Sequence, residues 1–251
     1  PTQTKIPAYA SMLGFAVLDA GKVREWAIEY KEKGYRAQKW FFRHGPMSGA
    51  EGMKKNVELV RTLREAVGED YDLMFDCWQA MDVNYVVDLA ERIEEYKPRW
   101  LEECVMPDRI DSYRKLSQRI RIPLSGAEHE YTRWGFKRFI ESEALDVIQP
   151  DIYWCGGLTE TLKIAAFATA HDLITIPHGH STFATAHFSA VQSPIHTPYQ
   201  EYLVKWNAVH QHFLVDPIDI VEGMIEVPDR PGLAMEIDAA KIEAEDIIFA
   251  A

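Results

Sequence analysis

Short apolar runs alternate with stretches of helical pattern along the whole sequence, and this alternation constrains the fold more than any other feature. Eight runs are rich in β-forming residues, at positions 8–13, 37–42, 72–77, 100–104, 123–128, 146–151, 173–178 and 200–204. Helical spacing of apolar residues fills the intervals, at 22–34, 50–67, 83–96, 109–119, 132–142 and 157–171, with a less regular stretch at 183–192. Strands separated by helices of this length form parallel βα units. Eight such units in 251 residues predict an α/β fold, a (β/α)8 TIM-type barrel.

The regular alternation ends near residue 228. We therefore predict one barrel catalytic domain over residues 1–228, without an internal repeat or an interdomain linker. After the DRPG sequence at 229–232, the remaining residues show no regular pattern. Residues 229–251 are predicted to form a C-terminal segment that packs outside the barrel.

The composition disfavours several classes of partner. The chain carries 39 acidic and 27 basic residues, and its formal net charge of −12 disfavours nucleic acid and anionic membranes. No apolar run approaches the roughly 20 residues that span a bilayer, and the start PTQTKIP lacks the features of a signal peptide. We expect a cytoplasmic protein. Three cysteines without metal-finger spacing predict reduced, inert thiols at Cys77, Cys104 and Cys155.

Ionisable side chains recur in the last six runs: Asp76, Glu102, Glu128, Asp151 and His178 lie at or near the ends of five of them, and Glu201 begins the eighth. The carboxyl ends of barrel strands meet at one mouth, where the active sites of this fold are built. We therefore expect these side chains to lie close together.

Three acids on neighbouring strands predict a metal site. Asp76, Glu102 and Glu128 would repel one another strongly at one mouth unless a cation lay between them, and oxygen ligands in this number suit Mg²⁺. A single acid after a strand is more often the N-cap of the next helix, but three acids in register make that interpretation less favourable. Glu103 competes with Glu102, because successive side chains point to opposite faces of a strand. The spacing alone does not choose between them.

The sequences QPD and PHGH indicate a general base. A carboxylate at Asp151 could orient the imidazole of His178 and raise its basicity. The alternatives are a buried structural histidine or a fourth metal ligand. His129, directly after Glu128, is either a polar lining of the mouth or exposed to solvent. The pair Gly156 and Gly157 is interpreted as a turn.

These motifs, taken in order, resemble the enolase superfamily. They are DCW (76–78), LEEC (101–104), SGAEHE (125–130), QPDIYWCGGLTE (149–160), PHGH (177–180) and QEYL (200–203). The resemblance is to the mandelate racemase subgroup and, within it, to acid-sugar dehydratases of the L-rhamnonate dehydratase type. It extends over nearly the whole chain, and the ordered set is far more specific than any single motif.

The resemblance implies a role for each of these residues. Asp76, Glu102 and Glu128 bind Mg²⁺, which selects Glu102 over Glu103. His178 with Asp151 is the base, and Glu201 is the acid that hydrogen-bonds the substrate carboxylate as an enediolate develops. Members of the family also carry an N-terminal capping domain, which this chain apparently lacks, and the C-terminal segment could pack toward such a domain.

The second strand departs from the racemase pattern. Racemases of the subgroup have Lys-x-Lys there, whereas QKWFF has Lys39 and then Phe41 at the place of the second lysine. A second base is therefore missing, which disfavours two-base racemisation. Lys39 is expected to stabilise the substrate carboxylate beside the metal. The alternative is an exposed lysine.

The resemblance therefore implies a carbon–oxygen lyase, a hydro-lyase. The expected reaction is Mg²⁺-dependent dehydration of a sugar acid (aldonate) by α-proton abstraction, through an enediolate, to a 2-keto-3-deoxy acid. Alternatives are an epimerase, racemase or cycloisomerase that uses the same site, and a non-catalytic barrel subunit. The expected partners are a small carboxylate substrate and further copies of the chain in a homo-oligomer.

Overall fold

The computed structural model describes residues 2–243, which form eight βα units and a short antiparallel hairpin. The strands of the units are β1 (Lys5–Ser11), β2 (Ala37–Phe41), β3 (Asp72–Asp76), β4 (Trp100–Glu102), β5 (Leu124–Gly126), β6 (Val147–Ile148), β7 (Ile174–Thr175) and β8 (Gln200–Leu203). The helices are α1 (Ala20–Glu32), α2 (Gly49–Val67), α3 (Val83–Ile93), α4 (Ile110–Ser117), α5 (Thr132–Glu141), α6 (Leu158–Thr169), α7 (Thr182–Ala190) and α8 (Trp206–His210). The hairpin consists of β9 (Ile220–Val221) and β10 (Met224–Glu226).

The eight predicted strands are confirmed as neighbours in one parallel sheet. β8 pairs with β1, and β1 to β7 pair in sequence order. No strand ladder links β7 to β8 within the described residues. Individual contacts join these edges: the amide of Thr175 donates to the carbonyl of His196 at 2.8 Å, and the amide of Gly179 donates to Glu201 at 2.8 Å.

Several predicted strand ends were too long. The run at 146–151 contributes only Val147–Ile148 to a regular strand, because Pro150 has no amide hydrogen for a ladder. The run at 173–178 contributes only Ile174–Thr175. Beyond both strands the chains stay adjacent through single bonds, for example from the amide of His178 to the carbonyl of Pro150 at 3.1 Å.

The helices follow the predicted apolar spacing. α1 buries Val23 and Ala27, and its first turn is capped by Asp19, whose carboxylate accepts the amide of Lys22 at 3.1 Å. Asp82 caps α3 in the same way. The weakly patterned stretch at 183–192 is helix α7, and the five-residue helix α8 had not been predicted. None of the helices within residues 2–243 combines the length and apolarity needed to cross a lipid bilayer.

The hairpin β9–β10 was also missed by the sequence analysis. β10 pairs antiparallel with the start of β1, so that Lys5 faces Glu226. Its turn packs against the end of α1, where a Cβ at Gly223 would lie 2.0 Å from the carbonyl oxygen of Gly34. Both glycines have positive φ, so this close contact between two backbones requires glycine at each position.

The core has two layers. Inside the barrel, one cluster contains Tyr9, Ala37, Met74, Trp100, Val147 and Ile176. The larger cluster lies between the strands and the surrounding helices. Cys77, Cys104 and Cys155 are free and buried, as expected of unreactive thiols.

The C-terminal residues contact the chain beyond β8. The amide of Val215 donates to the carbonyl of Glu236 at 2.9 Å, and Leu214 and Ile237 form an isolated antiparallel bridge. These contacts join residues 236 and 237 to the chain after α8, and the packing of the whole segment 229–251 outside the barrel stays a prediction. Residues 244–251 of the predicted segment lie outside the described residues, and the domain boundary at residue 228 stays a prediction.

Candidate active site

A pocket of about 190 Å³ opens at the carboxyl ends of the strands. We call it the mouth pocket; its walls are Leu13, Lys39, Phe41, Asp76, Trp78, Glu128, His129, Asp151, Trp154, His178, His180, Glu201 and Leu203. Six of the seven predicted site residues line it, and the seventh, Glu102, is fully buried in contact with Lys39. The expectation that strand ends bring these side chains together therefore agrees with the structure.

Lys39 lies at the centre of the charged groups. Its ammonium contacts Glu102, lies 2.9 Å from Glu201 Oε1 and lies 3.4 Å from Asp76 Oδ2. The lysine is only 1% exposed, which rules out the alternative of a surface lysine. Burial alone would lower its pKa, but Glu102 and Glu201 raise the pKa of Lys39 well above its usual value. Lys39 is thus a permanent buried cation.

The two glutamates at the end of β4 point in different directions. Glu102 lies inside the barrel, where its Oε2 accepts the indole N–H of Trp100 at 2.9 Å and the amide of Gln149 at 2.8 Å. Glu103 is also buried, but its Oε1 accepts the backbone amide of Ala127 at 2.7 Å. Glu103 therefore connects the loops after β4 and β5, whereas Glu102 faces the charged centre.

The carboxylates at the ends of β3, β4 and β5 have the donor chemistry of a Mg²⁺ site. Burial and the charge of Glu102 raise the pKa of Asp76, and burial raises the pKa of Glu128. Neither oxygen of Glu128 has a hydrogen-bond partner among residues 2–243; the nearest ring nitrogens lie 3.6 Å away. Asp76 is buried and Glu128 is largely shielded, with 13% of its side chain exposed, and carboxylate oxygens whose charge is poorly compensated in such surroundings fit a hard divalent cation.

These carboxylates do not already surround a common ion position. Within the described part of the chain, no group of three or more histidine, cysteine, aspartate or glutamate side chains is arranged to hold a metal. Lys39 accounts for this arrangement, because its ammonium draws Asp76 and Glu102 toward itself. The donor set fits Mg²⁺ in chemistry.

Asp151 holds two histidines. Its Oδ2 lies 3.0 Å from Nδ1 of His178 and 3.3 Å from Nδ1 of His180, while Oδ1 accepts the amide of Tyr153 at 2.9 Å. Burial would raise the pKa of Asp151, but its hydrogen bonds to His178 and His180 lower it below the usual value. Asp151 is therefore an ionised orienting group.

His178 presents its other nitrogen toward Glu128, with Nε2 lying 3.6 Å from Oε2. Burial would lower the pKa of His178, but Glu128 and Asp151 raise it to about 10. The imidazole thus carries a proton at neutral pH when no other cation compensates Glu128. The basicity of His178 therefore depends on whether the charge of Glu128 is compensated.

Glu201 is held between a cation and a backbone amide. Its Oε2 accepts the amide of Gly179 at 2.8 Å, and a Cβ at that glycine would lie 2.7 Å from Glu201 Cγ. Burial would raise the pKa of Glu201, but Lys39 and His178 lower it. Glu201 is a carboxylate in this arrangement, so donating a hydrogen bond would require it first to gain a proton.

Sequence reasoning missed several groups that position the site. Gln149 and Trp100 anchor Glu102, and the amide of Gly179 anchors Glu201. The sequence signal that could have identified them is their position within or next to QPD, LEEC and PHGH, at the ends of strands. The sequence PHGH places His180 two residues after His178, but it does not indicate that His180 also contacts Asp151.

The comparisons with known proteins give a consistent result. Residues 22–241 match the family model described as enolase C-terminal domain-like. The chain is 38% identical over 216 residues to L-rhamnonate dehydratase from Saccharopolyspora erythraea, a match that covers 83% of this chain and 55% of that protein. It thus spans about half the length of this curated relative.

Two solved structures extend the likeness. L-rhamnonate dehydratase from Gibberella zeae is 32% identical with a TM-score of 0.82, covering 95% of this chain and 59% of that one. The 3,6-anhydro-D-galactonate cycloisomerase from Zobellia galactanivorans is 32% identical with a TM-score of 0.84, covering 95% of this chain and 65% of that one.

Proposed function

The chain belongs to the enolase C-terminal domain-like family, and we propose that it provides the catalytic barrel of a hydro-lyase that dehydrates a sugar acid with Mg²⁺. One observation carries the proposal: His178 and Asp151 are paired in the same pocket as Lys39 and the strand-end carboxylates. The likeness to relatives named L-rhamnonate dehydratase supports a sugar acid as the substrate class.

We assign Asp76, Glu102 and Glu128 as the groups that would hold Mg²⁺. When bound, the ion would supply Lewis-acid stabilisation of negative charge on the substrate carboxylate. Both oxygens of Glu128 lack a hydrogen-bond partner among residues 2–243, and Asp76 Oδ2 lies 3.4 Å from Lys39 Nζ. Lys39 would donate to the same substrate carboxylate from beside these ligands. Preorganised positive charge of this kind is usually the largest single contribution to catalysis.

His178 is the proposed base. Asp151 fixes the ring through Nδ1, which leaves Nε2 on the pocket side to accept the proton from C2 of the substrate. Since Glu128 raises the pKa of His178, a positive charge beside Glu128 would lower that pKa toward neutrality. Metal binding at Glu128 would therefore release His178 to act as a base.

The same imidazole is proposed to complete the reaction. Phe41, at the end of β2, offers no second base on the other side of the pocket. After His178 takes the C2 proton, its imidazolium returns a proton to the 3-hydroxyl, which leaves as water. The enol product then tautomerises to a 2-keto-3-deoxy acid, and both transfers occur on one face, as a syn elimination.

Lys39 and Glu201 are proposed to bind the substrate carboxylate as a pair. Glu201 lies 2.9 Å from the ammonium and so positions it, and Glu201 could itself donate a hydrogen bond only in its protonated form. The ionised state of Glu201 therefore favours Lys39 as the principal donor as the charge of the enediolate develops.

A cycloisomerase is the second candidate, because one structural neighbour carries that name. Cycloisomerisation begins with the same proton transfer but expels no water. An epimerase or racemase is less favoured because Phe41 cannot act as a base, and a non-catalytic barrel would have no use for the paired Asp151 and His178. The proposed partners are a small carboxylate and, as a prediction, further copies of the chain.

The test is a panel of aldonic acids incubated with the purified protein and Mg²⁺, with 2-keto acid formation as the signal. The matched control is His178→Asn, which keeps a polar side chain but removes the base. We expect keto acid from at least one aldonate with the unaltered protein and none with the variant. Isomerisation without water loss would instead favour the cycloisomerase, and no reaction with any acid would contradict the enzymatic proposal.

A further inference from the structure

A second cavity lies next to the mouth pocket. We call it the side pocket; it has a volume of about 270 Å³, and its walls include Tyr153, His180, Phe183, Asn207, His210 and Leu214. These residues come from the loop after β6, from the segment after β7, and from α8 and the chain that follows it. His180 lines both cavities. The two cavities therefore meet at this residue.

The ring of His180 is fixed on several sides. Its Nδ1 lies 3.3 Å from Asp151 Oδ2, and its ring packs edge-on against Tyr153 and His210, with centroids 5.7 Å and 4.8 Å away. The other nitrogen, Nε2, has no hydrogen-bond partner among residues 2–243, and 38% of the side chain is exposed. A ring that is anchored at one nitrogen and open at the other is suited to hydrogen-bond a ligand.

The wall of the side pocket contains an unpaired polar group. Asn207 is fully buried, and its Oδ1 accepts the hydroxyl of Thr182 at 2.6 Å, but its Nδ2 has no hydrogen-bond partner. A buried amide donor without a partner is unfavourable, and such groups are normally satisfied by a ligand or by water. Phe183 and Leu214 supply an apolar surface in the same cavity. The side pocket thus offers both polar and apolar contacts.

We propose that His180 binds a hydroxyl group of the substrate beyond the reacting carbons, and that the side pocket receives the far end of a sugar-acid chain. This inference rests on the proposed function, which places the carboxylate at Lys39 and the α-carbon at His178. The centroids of His178 and His180 are 6.4 Å apart, so only an acid with carbons beyond C3 extends from one ring to the other. The distance between the two rings therefore favours the binding of acids with more than three carbons.

The test measures binding, so that its outcome does not depend on turnover. In a His178→Asn background loaded with Mg²⁺, isothermal titration calorimetry compares glycerate, which has three carbons, with a set of six-carbon aldonates. His180→Phe keeps the packing of the ring but removes its nitrogens. A lost hydrogen bond to a ligand corresponds to roughly a 2- to 12-fold change in affinity. We expect a loss of that size for at least one six-carbon acid and less than about twofold change for glycerate.

Two further variants separate binding from a structural role. His180→Gln restores a polar group at similar reach and should recover part of the affinity for six-carbon acids. His210→Trp, at an exposed position of α8, should fill the side pocket and weaken six-carbon acids without affecting glycerate. If His180→Phe weakened the binding of glycerate and of the six-carbon acids equally, His180 would act only through Asp151, and the proposal would be wrong. It would also be wrong if either His180→Phe or His210→Trp left the affinity for six-carbon acids unchanged. The panel for keto acid formation tests the reaction separately.

Discussion

Replacing Lys39 by methionine tests the charge balance of the site directly. The substitution keeps a long unbranched side chain but removes the ammonium that contacts Glu102, Glu201 and Asp76. All three carboxylates are at most 4% exposed, so water cannot replace the lost cation. We expect the protein without metal to lose much of its stability.

The size of this loss follows from the burial of the pair. Removing one partner of a buried ion pair costs about 3–5 kcal/mol, because the other charge is left uncompensated. For a domain of this size each kcal/mol shifts the melting temperature by about 2–4 °C, so the expected drop is about 6–20 °C. Burial raises the pKa of Asp76 and of Glu128, so proton uptake at low pH should partly replace the ammonium. The drop should thus be larger at pH 8 than at pH 5.

The assay is thermal unfolding followed by circular dichroism in buffer that contains EDTA. Lys33→Met is the matched control, because Lys33 pairs with Glu29 at 2.5 Å on the surface, where such pairs contribute little. We expect the control to melt within about 2 °C of the unaltered protein. If Lys39→Met melts as the control does, Lys39 does not compensate the buried carboxylates.

Three further predictions concern the metal, the base and the pH dependence. Glu102→Gln should weaken Mg²⁺ binding far more than Glu103→Gln, since Glu103 is turned to the amide of Ala127; calorimetry that finds equal or reversed losses would contradict the ligand assignment. His178→Asn, folded and loaded with metal, should abolish both dehydration and exchange of the α-proton with solvent deuterium, and exchange that persists by NMR would reveal another base. Hydrogen bonds from Arg133 lower the pKa of Glu160 to about 2 from about 4.5, so the stability that Glu160 contributes should be present above about pH 4.5 and lost as the pH falls toward 2. The difference in melting temperature between the unaltered protein and Glu160→Gln should therefore shrink over that range, and a constant difference would refute the linkage.

The sequence carried enough information for the barrel because its strands and helices are local patterns of strong periodicity. The positions of Asp76, Asp151 and His178 followed from the same pattern, since strand ends meet at one mouth. Short elements without a periodic local pattern were not predicted. The hairpin β9–β10 has two and three residues in its strands, and its place is set by contact with β1 and by the meeting of Gly34 and Gly223.

The position of Lys39 could not be read from the sequence alone. In QKWFF a lysine on a strand is equally compatible with an exposed edge, and only the closed arrangement of β2, β4 and β8 shows that its ammonium meets Glu102 and Glu201. The contact between Asp151 and His180 likewise could not be predicted from the sequence. The spacing between His178 and His180 does not reveal that both rings turn toward the same oxygen.

The charges of the mouth pocket set a condition on how the proposed acid substrate could bind to an acidic protein. The cations of the pocket are the buried Lys39 and the partly exposed His178, whose pKa is raised to about 10. The carboxylates of Asp76, Glu102, Glu128, Asp151 and Glu201 surround them. The carboxylates outnumber the cations, so an anionic substrate would be repelled from the pocket in the absence of further positive charge. A divalent cation held by these strand-end acids, as proposed above, would reduce this excess and, by compensating the charge of Glu128, would favour the neutral form of His178. Under the proposed function, reducing the excess of negative charge would favour both the approach of the substrate carboxylate and the neutral, basic form of His178, whose Nε2 lies 3.6 Å from Glu128 Oε2.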